Sequence, residues 1–190
     1  LVEKANLIIL YRLTFIKALE KIAQPIHQDL SNQREELTIT YQSSSSKLDY
    51  SNKETISEQL FELFKQSLIR EKEQGITVYG PHRDDISFFI NDKKAQLFGS
   101  QGQQRTIVLS IKLAELELFH NMTGEYPVLL LDDVLSELDD NRQMILMSHI
   151  ENKVQTFLTT ASIEGLKIHQ LKNAEILYVQ KGQVSKGDSA

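Results

Sequence analysis

The residues best placed to do chemistry are two adjacent carboxylates at the end of an apolar run, Val128-Leu129-Leu130-Leu131-Asp132-Asp133. A buried strand delivers its last side chains to the carboxyl edge of a sheet, where ligands bind in α/β folds. There Asp132 could hold Mg²⁺, directly or through water, beside nucleotide phosphates. Asp133 could orient or deprotonate an attacking water. Two acids at a solvated strand end have the same composition. Upstream, Ser100-Gln101-Gly102-Gln103-Gln104-Arg105-Thr106 opens a helical segment. Gly102 would let backbone approach a phosphate, Ser100 would supply a hydroxyl donor, and a helix N-terminus adds free N–H groups and partial positive charge. A polar helix start capped by Ser100 is the plainer reading. Ser136-Glu137-Leu138-Asp139 follows the acids. Taken alone, it reads as an N-cap at Ser136 or an acidic first turn at Asp139-Asp140.

The surrounding elements can be read from periodicity. Leu7, Ile8, Tyr11, Phe15, Ile16, Leu19 and Ile22 predict a long helix over 3–30, ended or kinked by Pro25. Leu37–Tyr41 alternates like a short strand, and Ser43–Ser46 is a low-complexity loop. Ile56, Leu60, Leu63, Phe64 and Leu68 predict a helix over 54–73. From Gly75 the character changes. Strands are expected at Ile76–Tyr79 and Ile86–Ile90, around the turn Gly80-Pro81-His82-Arg83-Asp84-Asp85, with a second turn at Asn91–Lys94. Arg83 in the first turn could also face a phosphate or an acidic partner. Ile107, Ile111, Ala114 and Leu118 predict a helix over 103–119. Val128–Leu131 suits a strand covered on both faces of a largely parallel sheet. A helix over 140–150, a strand at Val154–Thr159 and a hairpin from Glu175–Gln180 to Val184 around Lys181-Gly182 complete the pattern. Residues 1–75 therefore read as a helical arm, or lid, and 76–190 as an α/β lobe.

Composition narrows the function classes. The chain has 190 residues, 41% hydrophobic and 25% charged, which is ordinary for a globular domain. No run is long and apolar enough to span a membrane. With no cysteine, disulfides, thiolate metal sites and cysteine nucleophiles are excluded. The net charge of −5 gives no support for strong nonspecific nucleic-acid binding, so any such contact must use a local patch.

Taken together, the segments carry a resemblance. Val128–Asp133 is similar to a Walker B strand, Ser136–Asp139 resembles the D-loop of ABC-type ATPases, and Ser100–Thr106 resembles their signature motif. Their order along the chain is also that of an ABC ATPase. Gln155–Thr160 resembles the strand whose end usually carries a switch histidine in transporters, with Thr160 at about that position instead. His149 and His169 are off position and read as surface or capping residues. With Gly80–Asp85, Leu131–Asp139 and Thr159-Thr160, the resemblance narrows to the RecF family of ABC/SMC-type ATPases. That family has Asp, as Asp133 here, where most ABC ATPases have Glu.

The resemblance implies the C-terminal lobe of an ABC-type ATPase head, with a largely parallel sheet and flanking helices, plus an α-helical arm. It implies ATP and Mg²⁺ as cofactors, slow ATP hydrolysis, an ATP-dependent homodimer and a cytoplasmic location. It implies DNA binding at single-strand/double-strand junctions, and action with RecR and RecO to load RecA at single-strand gaps. Residue by residue, Ser100, Gly102 and Gln103 would contact the γ-phosphate held by the partner subunit. Asp132 would serve Mg²⁺, Asp133 the water, and Asp139 the dimer interface. No Gly-x-x-x-x-Gly-Lys-Ser/Thr occurs in the chain, so the β-phosphate cradle is absent. With a first residue other than Met, this leads to the expectation that an N-terminal lobe is missing. Other readings are an SMC-like or transporter head, or a non-catalytic interaction module. Flanking heptads would favour the SMC-like head, and none are visible.

Overall fold

The computed structural model describes residues 1–162 and 174–187. His169 lies outside the described residues. The chain divides into two compact units, Leu1–Ala114 and Glu115–Ala190.

The first unit opens with α1 (Val2–Leu30), which runs through Pro25 rather than ending at it. Its buried face is Ala5, Ile9, Ile16, Leu19, Ala23, Ile26 and Leu30. This differs from the expected stripe: Leu7, Ile8, Tyr11 and Phe15 are exposed. Alanines at 5 and 23 take the close-approach positions that a search for large apolar residues passes over. Strand β1 (Leu37–Gln42) pairs antiparallel with β2 (Asp85–Ile90), Leu37 opposite Ile90 and Gln42 opposite Asp85. The two-residue β3 (Lys93–Lys94) adds to β2 across Asn91 and Asp92, both at positive φ. Because β1 and β2 form one ladder, the two sides of the boundary expected at 75 are joined in one unit, and the observed division falls at 114/115. Helix α2 (Ile56–Gln74) ends at Gly75 in the left-handed conformation that favours glycine, φ 65°. It buries Ile56, Leu60 and Leu63 with Ala5 and Ile9 of α1 and Leu48.

Ile76–Tyr79 is not a strand. Two of its backbone groups are taken by side chains: Val78 N donates to Glu71 Oε1 at 2.8 Å, and His82 Nε2 bonds Thr77 O at 3.1 Å. A short α3 (Ala95–Phe98) leads to α4 (Gln101–Thr123).

The second unit holds a parallel pair, β4 (Leu129–Asp132) beside β5 (Thr156–Thr159), with α5 (Asp140–Ile150) between them in sequence. This is the βαβ connection expected of an α/β lobe. The parallel arrangement is confined to this pair among the described residues; β1–β2–β3 is antiparallel. Only one face of β4 is covered: Leu129 and Leu131 are buried, whereas Val128 and Leu130 are 54% and 73% exposed. The expected burial on both faces is thus not met by the described residues. β6 (Leu177–Gln180) and β7 (Gln183–Lys186) form the expected hairpin, with Lys181 and Gly182 both at positive φ.

Candidate functional site

The acids sit at the carboxyl tip of β4. Asp132 is its last residue and stands opposite Thr159 in the register with β5. The Thr159 hydroxyl donates to Asp132 Oδ1. Asp133 follows at φ 52°, a left-handed conformation uncommon outside glycine. Three contacts hold it there: its N–H lies 3.1 Å from Thr159 O and 3.2 Å from Thr159 Oγ1, and Ser136 Oγ donates to its carbonyl at 2.8 Å. Both aspartates are exposed. Thr159 therefore binds both acids, through its hydroxyl to one and its oxygens to the other. Thr160, expected at the switch position, lies just past β5 with its hydroxyl donating to Ser162 O at 2.8 Å.

The arrangement fits Mg²⁺ of the kind that binds with phosphates. Among the described residues no group of three His, Cys, Asp or Glu side chains could hold a metal. A site of one or two carboxylates is what Mg²⁺ needs when phosphates and water fill its other positions. Asp132 keeps Oδ2 clear of protein donors among the described residues.

The chain then makes a 3₁₀ turn at Leu135–Glu137 and enters α5. Asp139 is the N-cap of α5, its carboxylate accepting from Arg142 N at 2.9 Å and standing 3.6 Å from the Arg142 guanidinium. Of the two local readings of this segment, a cap at Ser136 gives way to the acidic first turn at Asp139-Asp140, with Asp139 as the N-cap and Asp140 opening the helix. The turn is fastened from beneath by Gln143, which is 5% exposed and donates from Nε2 to Leu135 O and Leu138 O, each at 3.1 Å. Leu135 O, which also accepts from Leu138 N, gains a second donor, and the part-buried Leu138 carbonyl gains its partner.

In the first unit, Ser100 and Gln103 form a capping box at the start of α4. Gln103 N donates to Ser100 Oγ at 3.2 Å, and Ser100 N donates to Gln103 Oε1 at 2.9 Å. The Ser100 oxygen accepts in this pair, which leaves its hydrogen free to donate outward. The two nearby glycines differ. A Cβ at Gly99 would meet Ala95 O at 2.6 Å, so the fold requires glycine there. A Cβ at Gly102 would meet only Ser100 Oγ, at 4.0 Å. The fold therefore does not need glycine at 102 for space. An open face at a helix start is the room an approaching phosphate would use.

A buried relay holds this corner. Gln103 Nε2 donates to Glu35 Oε1 at 2.9 Å, and Glu35 Oε2 lies 3.1 Å from His27 Nε2. His27 is fully buried, with Nδ1 3.1 Å from Ser110 Oγ. The Ser110 hydroxyl spends its hydrogen on Thr106 O at 2.6 Å, so His27 Nδ1 must be the donor to Ser110. Sequence reasoning found none of Gln143, His27, Glu35 or Ser110, and it quoted Thr159 in a motif without giving it a role. Gln103 and Glu35 are far apart in sequence, and no local signal joins them.

The turn Gly80–Asp85 is organised around Asp84. Its Oδ2 accepts from Tyr41 OH at 2.8 Å and Tyr50 OH at 2.7 Å, and its Oδ1 from Ser44 N at 2.9 Å. The two rings stack with centroids 5.3 Å apart, and Arg12 donates to Tyr41 OH and to Pro81 O. Burial pushes the Tyr41 phenol up to about 12, an effect opposed by Arg12 and reinforced by Asp84. Burial likewise raises Tyr50.

No family model matches the chain. It is 51% identical over 185 residues to the DNA replication and repair protein RecF of Staphylococcus epidermidis, covering 97% of this chain and 50% of that protein. RecF of Staphylococcus aureus is 50% identical over 176 residues, 92% of this chain and 47% of its own length. The chain thus spans about half the length of the curated relatives it matches. Among solved structures, the recombination mediator protein RecF with ATP, in the RecFOR pathway, superposes with a TM-score of 0.80 at 34% identity, over 98% of this chain and 48% of that one. A second RecF structure, RecF-ATPrS, gives a TM-score of 0.78 at 35% identity. Across nearly its whole length the chain is therefore similar to about half of RecF, and it shares the α/β fold of the corresponding part of those structures.

Proposed function

We propose that this chain, a homologue of RecF over almost its full extent, supplies one side of a nucleotide sandwich in an ATP-dependent DNA replication and repair protein. The observation that carries this reading is the tip of β4, where the Thr159 hydroxyl donates to the Asp132 carboxylate and accepts from the Asp133 backbone N–H, inside a chain that matches half of RecF over 97% of its own length. In the complete protein, the P-loop cradle comes from outside these 190 residues. This chain brings the acids, the D-loop and the signature corner.

Asp132, oriented by Thr159, would hold Mg²⁺, which when bound neutralises charge on the phosphate oxygens. Asp133 would accept a hydrogen bond from the attacking water and align it. Ser100, Gly102 and Gln103 would meet the γ-phosphate held by a second subunit. Ser100 would donate its free hydrogen, and the α4 N-terminus would present N–H groups. Asp139 would lie at the subunit interface, and Thr160 would occupy the place of a switch residue beside it. On this reading the protein binds ATP, dimerises around it, hydrolyses it slowly and binds DNA in the cytoplasm. It acts with RecO and RecR to load RecA at single-strand gaps and junctions. The names of the relatives support the DNA and ATP parts of this reading.

The test is nucleotide-dependent dimerisation of the complete protein by analytical ultracentrifugation, with and without Ser100→Arg. The parent should form an ATP-dependent dimer, and a guanidinium pushed into the signature corner should abolish it. A variant that dimerises like the parent would remove Ser100 from the nucleotide interface.

A further inference from the structure

The first unit contains a cleft that the ATPase reading does not use. It measures about 480 Å³ and lies between the last turns of α2 and the loops at 44 and 76–83. Two arginines line it, Arg70 from α2 and Arg83 from the Gly80–Asp85 turn, with Ser44 beside them. Ile76, Val78 and Tyr79 form its apolar wall, and Ile76 is 49% exposed.

Both arginines are exposed, and among the described residues neither has an ion pair or a side-chain hydrogen bond. The acids nearest in sequence are engaged elsewhere. Glu71 Oε1 accepts from Ser67 Oγ and Val78 N. Asp84 accepts from Tyr41, Tyr50 and Ser44 N. Asp85 Oδ1 accepts from Ile86 N. The Asp84 cluster also fixes the turn that carries Arg83, so that guanidinium stands on a rigid base. Two unpaired planar forks facing one cleft are built to grip an oxyanion with several acceptor oxygens. An aromatic ring and an apolar wall alongside would take a sugar or a base.

We infer that the Arg70–Arg83 cleft is a phosphodiester-binding site for a nucleic-acid strand, distinct from the nucleotide site. The inference deepens the DNA-binding part of the proposed function and rests on it. A net charge of −5 gives no support for a broad electrostatic footprint, so a confined site of two cations is the form such a contact would take. An acidic peptide shares the charge, but its carboxylates present two oxygens each to the two forks, where a phosphodiester chain presents a regular row of oxyanions.

The experiment uses the 190-residue chain, isotope-labelled for NMR. It is titrated separately with inorganic phosphate, a single-stranded oligonucleotide, a duplex and a glutamate-rich peptide. The expected result is that oligonucleotide shifts the Arg70 and Arg83 side-chain signals and the amides of 76–79. Affinity should fall several-fold in Arg70→Gln and in Arg83→Gln, with melting points unchanged. The slope of log affinity against log salt should drop by roughly 0.7 per arginine removed for a single strand, and about 0.9 for a duplex. Shifts from the peptide but not from nucleic acid, shifts from phosphate alone, or nucleic-acid shifts elsewhere would each overturn the inference. So would DNA affinity unchanged in both variants. In those cases the ATPase reading still stands if Ser100→Arg abolishes nucleotide-dependent dimerisation, so the two failures are separable.

Discussion

Asp133 carries a cost that can be measured apart from catalysis. Its φ of 52° places an L-residue in the left-handed region. That conformation costs roughly 1–2 kcal/mol for an ordinary side chain, and Asp and Asn lie at the low end because they tolerate it. Three hydrogen bonds from Thr159 and Ser136 keep the backbone there, so the side chain at 133 cannot relax the conformation. Strain over-determined by its surroundings collects at functional positions. The comparison that isolates it uses three neutral replacements, Asn, Gly and Ala, because each removes the same charge beside Asp132. Glycine recovers the conformational cost, but its freer unfolded chain returns roughly 0.5–1 kcal/mol of that gain. Asparagine keeps the tolerance of aspartate. Alanine has neither advantage and should be less stable than the other two by about 1 kcal/mol.

In thermal unfolding of this chain, about 1 kcal/mol corresponds to roughly 2–4 °C for a protein of this size. The expected order of melting points is Gly and Asn together, with Ala below them by that margin. In the complete protein all three should keep ATP binding and lose most hydrolysis, because none can orient the water as a carboxylate does. Stability and activity would then vary independently at one residue. An alanine variant as stable as the asparagine variant would show that the left-handed conformation carries no cost. Hydrolysis undiminished in the asparagine variant would take Asp133 out of the reaction.

Three further outcomes follow from particular contacts. Thr159→Val keeps the shape but deletes the hydroxyl between Asp132 and Asp133 N; it should cost about 1 kcal/mol of stability. It should also lower hydrolysis by roughly ten- to a hundredfold, as loss of a ligand-orienting partner does, and an unchanged rate in a steady-state ATPase assay would refute the bracing role. Gln143→Leu strands the Leu138 carbonyl and removes one of the two bonds to Leu135 O, so it should destabilise the chain by roughly 1–3 kcal/mol and speed amide exchange across 135–140; exchange confined to other segments would contradict this. Tyr41, raised to about 12 chiefly by burial, favours its neutral form in the folded chain. Its contribution to stability is complete below its ordinary value of 10.0 and is lost as pH rises towards 12. Ultraviolet absorbance should show it ionising after the exposed tyrosines, and a single transition of all six tyrosines near pH 10 would refute its burial.

Local signals were legible in the sequence wherever one residue settles the backbone. The bounds of α5 agree with the expected 140–150 because Asp139 caps it, and the β6–β7 hairpin turns where Lys181-Gly182 accepts positive φ. The polar helix start capped by Ser100 was legible for the same reason, since a capping box is written in four consecutive residues. Where packing decides, the sequence misleads. Ile76–Tyr79 has the composition of a strand, but Glu71 and His82 take two of its backbone groups, and no ladder forms. Leu130 belongs to an apolar run that implies cover on both sides, and the described residues cover only one.

The distinction between Thr159 and Thr160 shows why the candidate site was half legible. The motif names the acids, because few other residue types can meet Mg²⁺ and water at a strand end. It does not name what holds them, since that depends on which of two adjacent threonines the β4–β5 register brings opposite Asp132, and a shift of one residue reverses the face. The same limit hides the relay behind Gln103. Glu35 reaches it from the loop after α1, and His27 reaches Ser110 from the far end of that helix. Groups that touch a ligand are constrained by chemistry and can be recognised by type. Groups that position them are constrained only by distance, and any side chain with a suitable donor could have filled the place.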